Sequence, residues 1–323
     1  MATYKESIGT AVQNVAGDPP APLEGQVWYN SSTGSFRIKK NASIFSWATS
    51  NTMNTTRSYL AGVGIQTASL AFAGDGTPTN TSVATESYNG TNWTTVNNLN
   101  NKKKNSAGAG TQTAALNFGG TPYAPNVGPT ELWNGTNWTE VNDLQQGRNY
   151  IAGCGATNTA ALAFGGFNNP AGGTQARTET WNGTNWTEVN DLNNGRYYFT
   201  GAGTNTAALA FGGQTSAKTE LWNGTNWTEV NDLNTARGHL GGAGIQTAAL
   251  GFGGYAPNPV YANTETWNGT NWTELGDLNT GRYALAGSGT NTVALAFGGT
   301  PGSGLTEEWS LGPAIVSQTI TTS

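Results

Sequence analysis

Residues 196–233, RYYFTGAGTNTAALAFGGQTSAKTELWNGTNWTEVNDL, spell out one complete structural unit. A basic residue, Arg196, opens a run of small and aromatic residues that predicts a first strand from Tyr197 to Gly203. The polar Thr204-Asn205-Thr206 turns the chain into a second strand, Ala207 to Phe211, which Gly212-Gly213 ends. After a loop comes a third strand, Thr219 to Trp222, and Asn223-Gly224 then leads into a fourth, Thr225 to Val230. An Asn-Gly pair between such strands predicts a two-residue hairpin turn, because both of its central positions need positive φ.

The unit recurs along the chain. The block Trp-Asn-Gly-Thr-Asn-Trp starts at Trp133, Trp181, Trp222 and Trp267, with a weaker copy from Tyr88. Its second aromatic falls at Trp47, Trp93, Trp138, Trp186, Trp227 and Trp272, in steps of 46, 45, 48, 41 and 45 residues. The run that ends strand two closes on Gly120, Gly166, Gly213, Gly254 and Gly299, with Phe72-Ala73-Gly74 as a degenerate first copy. The basic marker stands at Arg57, Lys103, Arg148, Arg196, Arg237 and Arg282. All three markers occur six times. Four short antiparallel strands in a unit of ~45 residues make a propeller blade. The expected fold is therefore all-β, a six-bladed β-propeller with small residues near the axis and Trp filling the widening wedges between blades.

The chain ends supply a second argument. The last unit reaches Thr306-Glu307-Glu308-Trp309 without a fourth strand, while a solitary fourth strand, Ile44 to Met53 around Trp47, precedes the first unit. Pairing the two closes the ring and removes two open sheet edges. The expected division is an N-terminal arm and hairpin at 1–43, the propeller at 44–311 and a C-terminal tail at 312–323. The order of landmarks resembles the kelch repeat over roughly residues 44 to 310: a basic residue, Gly-Gly after strand two, an aromatic in strand three and Trp in strand four. Kelch units usually carry Tyr and a less regular turn where this chain has Trp-Asn-Gly-Thr-Asn-Trp. The resemblance thus implies the fold and not the partners of kelch adaptors.

Composition narrows the partners. Charged residues are only 10% of the 323, and the net charge of −5 comes with no basic stripe, so no nucleic-acid partner is expected. No run approaches the ~18 apolar residues that span a bilayer, so no membrane insertion is expected. The opening MATYKESIGTAVQNV lacks the features of a signal peptide. The reading is a soluble protein made in a cytoplasm. Twelve Trp, eleven Tyr and ten Phe give this Gly-rich chain ample apolar area for a core.

No catalytic or metal site is expected, and no cofactor. His239 is the only histidine, at a position where other units carry Tyr150, Tyr198 and Ala284, and a zinc site would want several N or S ligands. Cys154, the only cysteine, takes the place of Ala109, Ala202, Ala243 and Ser288, so it reads as a small inner-strand filler without a His partner. Recurring acid pairs, Glu140/Asp143, Glu188/Asp191, Glu229/Asp232 and Glu274/Asp277, are too alike to hold the separated pKa values of an acid–base site. They read as strand-edge charges and turn-capping Asp. The repeated Arg is expected to bond carbonyls or a neighbouring carboxylate. The Trp residues read mainly as packing, with stacking on sugar rings as the other use. The Asn-x-Thr sequons, such as Asn89, Asn92, Asn134 and Asn137, read as turn chemistry.

Variation is concentrated on one face. The strand 2–3 loops (75–83, 121–129, 167–177, 214–218, 255–263 and 300–305) all differ, as do the 4–1 segments that emerge beside them. The turns of the opposite face hardly change. Rigid scaffolds usually recognise through such loops, so the expected binding face carries Tyr123, Phe167, Tyr198, Tyr255, Tyr261 and His239.

Before the repeats, Asp18-Pro19-Pro20-Ala21-Pro22 forms a stiff stretch, and Gly25 to Ile38 (GQVWYNSSTGSFRI) reads as a hairpin. This DPPAP…EGQVWYNSSTG…W pattern, followed by AGxGxQTAxLAFxG units, resembles structural proteins of tailed bacteriophages, marine ones especially. The resemblance implies a virion protein assembled in the host cytoplasm, a tail fibre, spike or decoration component. Its arm would contact other virion proteins, and its propeller would bind host surface glycan or protein. The alternative is a purely structural virion protein whose propeller contacts neighbouring subunits; homo-oligomerisation is left open. A galactose-oxidase-like enzyme would need metal-binding His and a Tyr–Cys pair, which one His and one inner-strand Cys do not supply.

Overall fold

The computed structural model describes residues 12–19, 26–76, 82–121, 129–168, 173–257, 259–302 and 304–319. Among them every regular element is a strand, and the chain separates into two compact units, 46–310 and a second made of 1–45 with 311–323.

The larger unit is a β-propeller. Five consecutive antiparallel sheets run strand one to strand four in order, from Ala61–Ile65 through Trp93–Val96 in the first to Gly241–Ile245 through Trp272–Glu274 in the fifth. The sixth begins with Ala286–Gly289, Ala294–Phe297 and Thr306–Thr319, and its fourth place is taken by the N-terminal strand Ser35–Ser50. Trp47 tilts 44° against Trp309 at 5.2 Å, the same relation that Trp181–Trp186 (43°, 5.4 Å) shows within an uninterrupted blade.

Two repeated contacts join adjacent blades, and a third fixes the linker between them. Each strand-four Trp donates its Nε1 to the Oγ1 of a strand-three Thr one blade back: Trp138 to Thr85 at 3.0 Å, Trp47 to Thr264 at 2.9 Å and Trp93 to Thr306 at 2.9 Å. Following these bonds from blade to blade returns to the start. Each blade's inner-strand glycine meets the Phe that ends strand two of the preceding blade. A Cβ on Gly62 would lie 2.3 Å from the Phe297 ring, and one on Gly201 would lie 2.4 Å from Phe164. The axis is glycine-rich because the blades approach that closely. The Trp and Phe rings of these wedges are almost wholly buried, and each large apolar side chain so placed contributes about 1.5–3 kcal/mol.

The third contact is ionic and buried. The basic marker of each blade pairs with a strand-three Glu of the same blade: Arg57 with Glu86 (3.1 Å), Arg148 with Glu179 (2.7 Å), Arg282 with Glu307 (3.2 Å), and likewise Arg196 with Glu220 and Arg237 with Glu265. The same carboxylate accepts backbone N–H groups of the incoming linker. Glu86 takes Asn54 and Thr55, and Glu265 takes Asn234 and Thr235. The expected carbonyl bonds are present too, as in Arg148 to Ala163 O and Arg196 to Ala210 O. In the second blade Lys103 stands in for Arg, donating to Pro129 O at 2.8 Å with Glu131 at 3.6 Å. Burial pushes its pKa down to about 8, with Glu131 opposing. Of the acid pairs noted above, Asp143, Asp191 and Asp232 cap the amides of Thr130, Thr178 and Thr219.

Two local expectations are corrected. Strand one of the fourth blade starts at Thr200, three residues later than its sequence suggests, because Tyr198 takes a φ of 62° and breaks the extended backbone. The Asn-Gly turn is not the two-residue type. Trp222 pairs directly with Trp227, leaving a four-residue loop in which Gly224 alone has positive φ (93°). Asn223 Oδ1 holds that loop by accepting the amides of Thr225 (2.9 Å) and Asn226 (2.8 Å). The Asn side chain closes the turn, so its backbone need not adopt the left-handed conformation.

One pair of departures is mutual. Ala73 has φ 61° where the other blades place Gly119, Gly165, Gly212, Gly253 and Gly298. At those glycines a Cβ would collide with Ile151, Phe199, Leu240 or Leu60 of the next blade, or at Gly253 with the Arg282 carbonyl beside Leu285. The residue at that place facing Ala73 is Ser106, small enough to leave room.

In the described part of the smaller unit, Val27–Asn30 pairs antiparallel with the start of Ser35–Ser50, in register from Val27↔Ile38 to Asn30↔Ser35. Gln13–Val15 lies parallel to it. Asp18 gathers this arm: it accepts Trp28 Nε1 at 3.1 Å and Asn30 Nδ2 at 2.8 Å, and it faces Arg37 at 3.9 Å. Residues 20–22 of the proline stretch lie outside the described residues.

Candidate functional site

Two residues after each basic marker the backbone turns left-handed. The six residues are Tyr59, Asn105, Tyr150, Tyr198, His239 and Ala284, with φ between 51° and 62°. Such a conformation costs an L-residue roughly 1–2 kcal/mol. In return, successive blades hydrogen-bond around the axis. Tyr59 N donates to Ala284 O (2.8 Å), Ala284 N to His239 O (2.8 Å) and His239 N to Tyr198 O (2.6 Å); Tyr150 N donates to Asn105 O and Asn105 N to Tyr59 O, both at 3.0 Å. This belt carries four aromatic side chains to the mouth of the axial channel.

The rings converge. Tyr198 stacks on His239 at 3.6 Å and 32°, and Tyr150 meets Tyr198 edge-on at 4.3 Å. His239 also meets Tyr59 at 5.5 Å and Tyr283 at 5.8 Å. The mouth encloses a cavity of about 90 Å³, followed inward by one of about 160 Å³ walled by strand-one residues and a third of about 120 Å³ between the strand-one glycines. Ala284 and Asn105 leave the aromatic wall incomplete. On the Asn105 side the lining is polar: Ser106 Oγ accepts a bond from the buried Asn117 Nδ2 at 2.9 Å. Outside the mouth, Lys104 Nζ is bonded to Asp75 at 2.7 Å and sits 5.9 Å from the Tyr59 ring centre.

Burial sets the ionisation here. It pushes the His239 imidazole down to about 4 and the Tyr59 phenol up to about 12, the latter helped by Tyr283, Tyr150 and Asp75. Tyr198 is pushed up by burial and by its hydrogen bond with Tyr150. At neutral pH the mouth therefore presents neutral π faces and phenolic oxygens. Cys154, buried in strand one and donating to Thr204 O, has its thiol pushed up by burial. Among the described residues no group of three or more His, Cys, Asp or Glu side chains is placed to hold a metal ion.

Of the residues expected on the binding face, Tyr198 and His239 form the mouth itself. Phe167 and Tyr255 extend it outward, Phe167 touching Tyr197 at 5.4 Å and Tyr255 touching Tyr283 at 5.2 Å. Tyr261 lies on the same loop as Tyr255, its amide bonded to Gly254 O at 2.9 Å. Tyr123 lies outside the described residues. Sequence reasoning set Tyr150 beside Tyr198 and His239 as an equivalent position without taking it as an anchor, and it passed over Tyr283 and Tyr59, although Tyr59 stands at the same offset from the basic marker.

The opposite face is occupied by structural contacts. In its turns Asn137, Asn185, Asn226 and Asn271 each accept, through Oδ1, a bond from the exposed Asn that follows strand four of the preceding blade (Asn97, Asn142, Asn190 and Asn231), at 2.7–2.9 Å.

No family model matches the chain, and no curated protein matches it. By structure, 458 solved chains match. One, titled "Structure of YjhT", aligns over 84% of this chain and 99% of its own with a TM-score of 0.63 and 12% sequence identity. That likeness shows a β-propeller fold, a scaffold that hosts unrelated functions, and carries no residue roles.

Proposed function

We propose that this chain is a non-enzymatic binding protein that holds its partner at the channel-mouth face of the propeller. The observation that carries the reading is the contrast between the two faces. One repeats the same Asn-capped turns and spends its side chains on blade-to-blade bonds, whereas the other gathers aromatic side chains at strained backbone positions and surrounds them with loops that differ in every blade. Strained non-glycine residues persist where their side chains are needed, and aromatic anchors dominate recognition surfaces. The absence of catalysis is part of the same proposal: burial holds the His239 imidazole and the Tyr59 and Tyr198 phenols neutral, away from the pKa values of working acids and bases.

On the resemblance of its N-terminal pattern to phage structural proteins, the chain would serve on a virion as a tail-fibre, spike or decoration component. Its arm would be tied to other virion proteins and its propeller would contact host surface glycan or protein. A glycan array together with host-cell binding tests this. Specific retention by the whole chain, lowered at least tenfold by the combined change Phe167→Ala, Tyr255→Ser and Tyr261→Ala but not by Asn271→Ala in a turn of the opposite face, is expected. Clean failure of both assays, with the loops found buried in an intact particle, would replace it with the scaffolding role.

A further inference from the structure

We propose that the channel mouth is a socket for a single alkyl cation, an ammonium or guanidinium head group inserted along the propeller axis. This rests on the reading of the mouth face as the recognition face and names the chemistry that its centre takes.

Size comes first. The mouth cavity itself, about 90 Å³, is far below the roughly 300 Å³ and upward of sites that enclose whole ligands. A space of that size suits one small end-group better than a sugar ring lying flat.

Charge comes second. Three tyrosines and an imidazole held neutral contribute π electron density from several sides and no positive charge to repel a guest, the arrangement that attracts a cation. The molecule already uses that attraction at the outer edge, where Lys104 lies 5.9 Å from the Tyr59 ring centre while Asp75 holds its ammonium at 2.7 Å. Hydrogen bonding comes third. Where the aromatic wall stops, Asn105 and Ser106 line the cavity. Behind Ser106, the fully buried Asn117 spends its Nδ2 on Ser106 Oγ and Ala107 O, while its Oδ1 has no partner. Asn105 and Ser106 thus give this sector its polar atoms, and a guest that brings N–H donors complements them. The net charge of −5 favours the approach of such a guest.

His239 is the only histidine, so its imidazole resonances report on the mouth alone. Butylammonium and butylguanidinium chloride, titrated separately at constant ionic strength, distinguish a lysine-like from an arginine-like guest; 1-butanol is the neutral control of the same length, and N-acetylglucosamine tests a sugar. The expected result is a saturable shift of the His239 resonances by at least one cation, with half-saturation on the order of 1–10 mM, and none by 1-butanol or the sugar. Tyr198→Leu should weaken the response about tenfold and Tyr198→Phe should leave it within about twofold. Lys104→Gln, which removes the internal cation, should strengthen it. Equal shifts by 1-butanol, a shift by the sugar alone, or no shift by either cation on the folded wild-type chain would overturn the proposal. If the cations fail while the array signal still depends on the outer loops, this inference falls and the recognition face stands; a cation response without any array or cell binding gives the reverse.

Discussion

The two ends of the innermost strands meet the same backbone demand with different residues. At the inner end, strand one closes on a left-handed glycine: Gly64, Gly110, Gly203, Gly244 and Gly289 have φ of 104° to 117°. A Cβ there would lie 2.2 Å from Ala68 O in the first blade and 2.3 Å from Ala248 O in the fifth, so no other residue fits. At the mouth end the left-handed positions hold Tyr, Asn, His and Ala at φ of 51° to 62°, a region that L-residues can occupy at modest cost. Glycine would be free of that cost, yet none of the six blades uses it. The glycine end is shaped by the backbone alone, and the mouth end keeps side chains that the backbone would rather lose.

That contrast can be broken at either end. The largest effect belongs to the scaffold beneath both. Glu265→Ala strips the Arg237 charge and the Asn234 and Thr235 amides of their common acceptor. Urea unfolding should then show a loss of about 3–5 kcal/mol. A loss below about 1 kcal/mol would mean that this clamp does not hold the linker.

The mouth should next reveal itself through pH. An unfolded histidine takes up a proton below its ordinary value of 6.5, whereas His239 in the folded chain resists protonation until about 4. Between those values the unfolded state binds more protons, so stability is full above pH 6.5 and falls as the pH drops toward 4. The amount is on the order of 3 kcal/mol. Carboxylates titrate in the same range, so the measurement is the difference between the wild type and His239→Phe, whose curve should lack this component. Parallel curves would place the imidazole in water.

The smallest effects make the most direct comparison. Gly244→Ala forces a Cβ against a carbonyl and should cost about 2 kcal/mol or more. Tyr198→Gly relieves its left-handed backbone while losing ring contacts, and should stay within about 1 kcal/mol of the wild type. Thermal unfolding of the two variants side by side decides it. A Tyr198→Gly variant as damaged as Gly244→Ala would make the mouth aromatics structural props.

Within the candidate site, the sequence reached the residues that vary and missed those that repeat. Tyr198 and His239 stand out as anchors because their segments differ, Tyr150 registers only as their equivalent, and Tyr59, at the same offset from Arg57, is passed over. Nothing local joins these residues; blades about 45 residues apart bring them together only when the belt of backbone bonds runs around the axis. The strand-three glutamates were missed for a related reason. In a short alternating strand a Glu reads as solvent-facing, and only the neighbouring linker with its Arg turns that position into a buried one. The Asn223 turn was misjudged because its geometry is set by a side-chain bond to amides two and three residues on, which a dipeptide rule does not contain.

What the sequence determined by itself is the repeat, its four strands, and the exchange of a strand between the two chain ends. Those follow from turn residues, spacing and the count of aromatic landmarks, all of which act over a few residues or at fixed intervals. Tertiary structure alone decided which side chains reach the axis, which charges are buried, and that four aromatic groups from four blades share one small cavity. Convergence at a common centre depends on the radius and closure of the ring, and no stretch of chain encodes that distance.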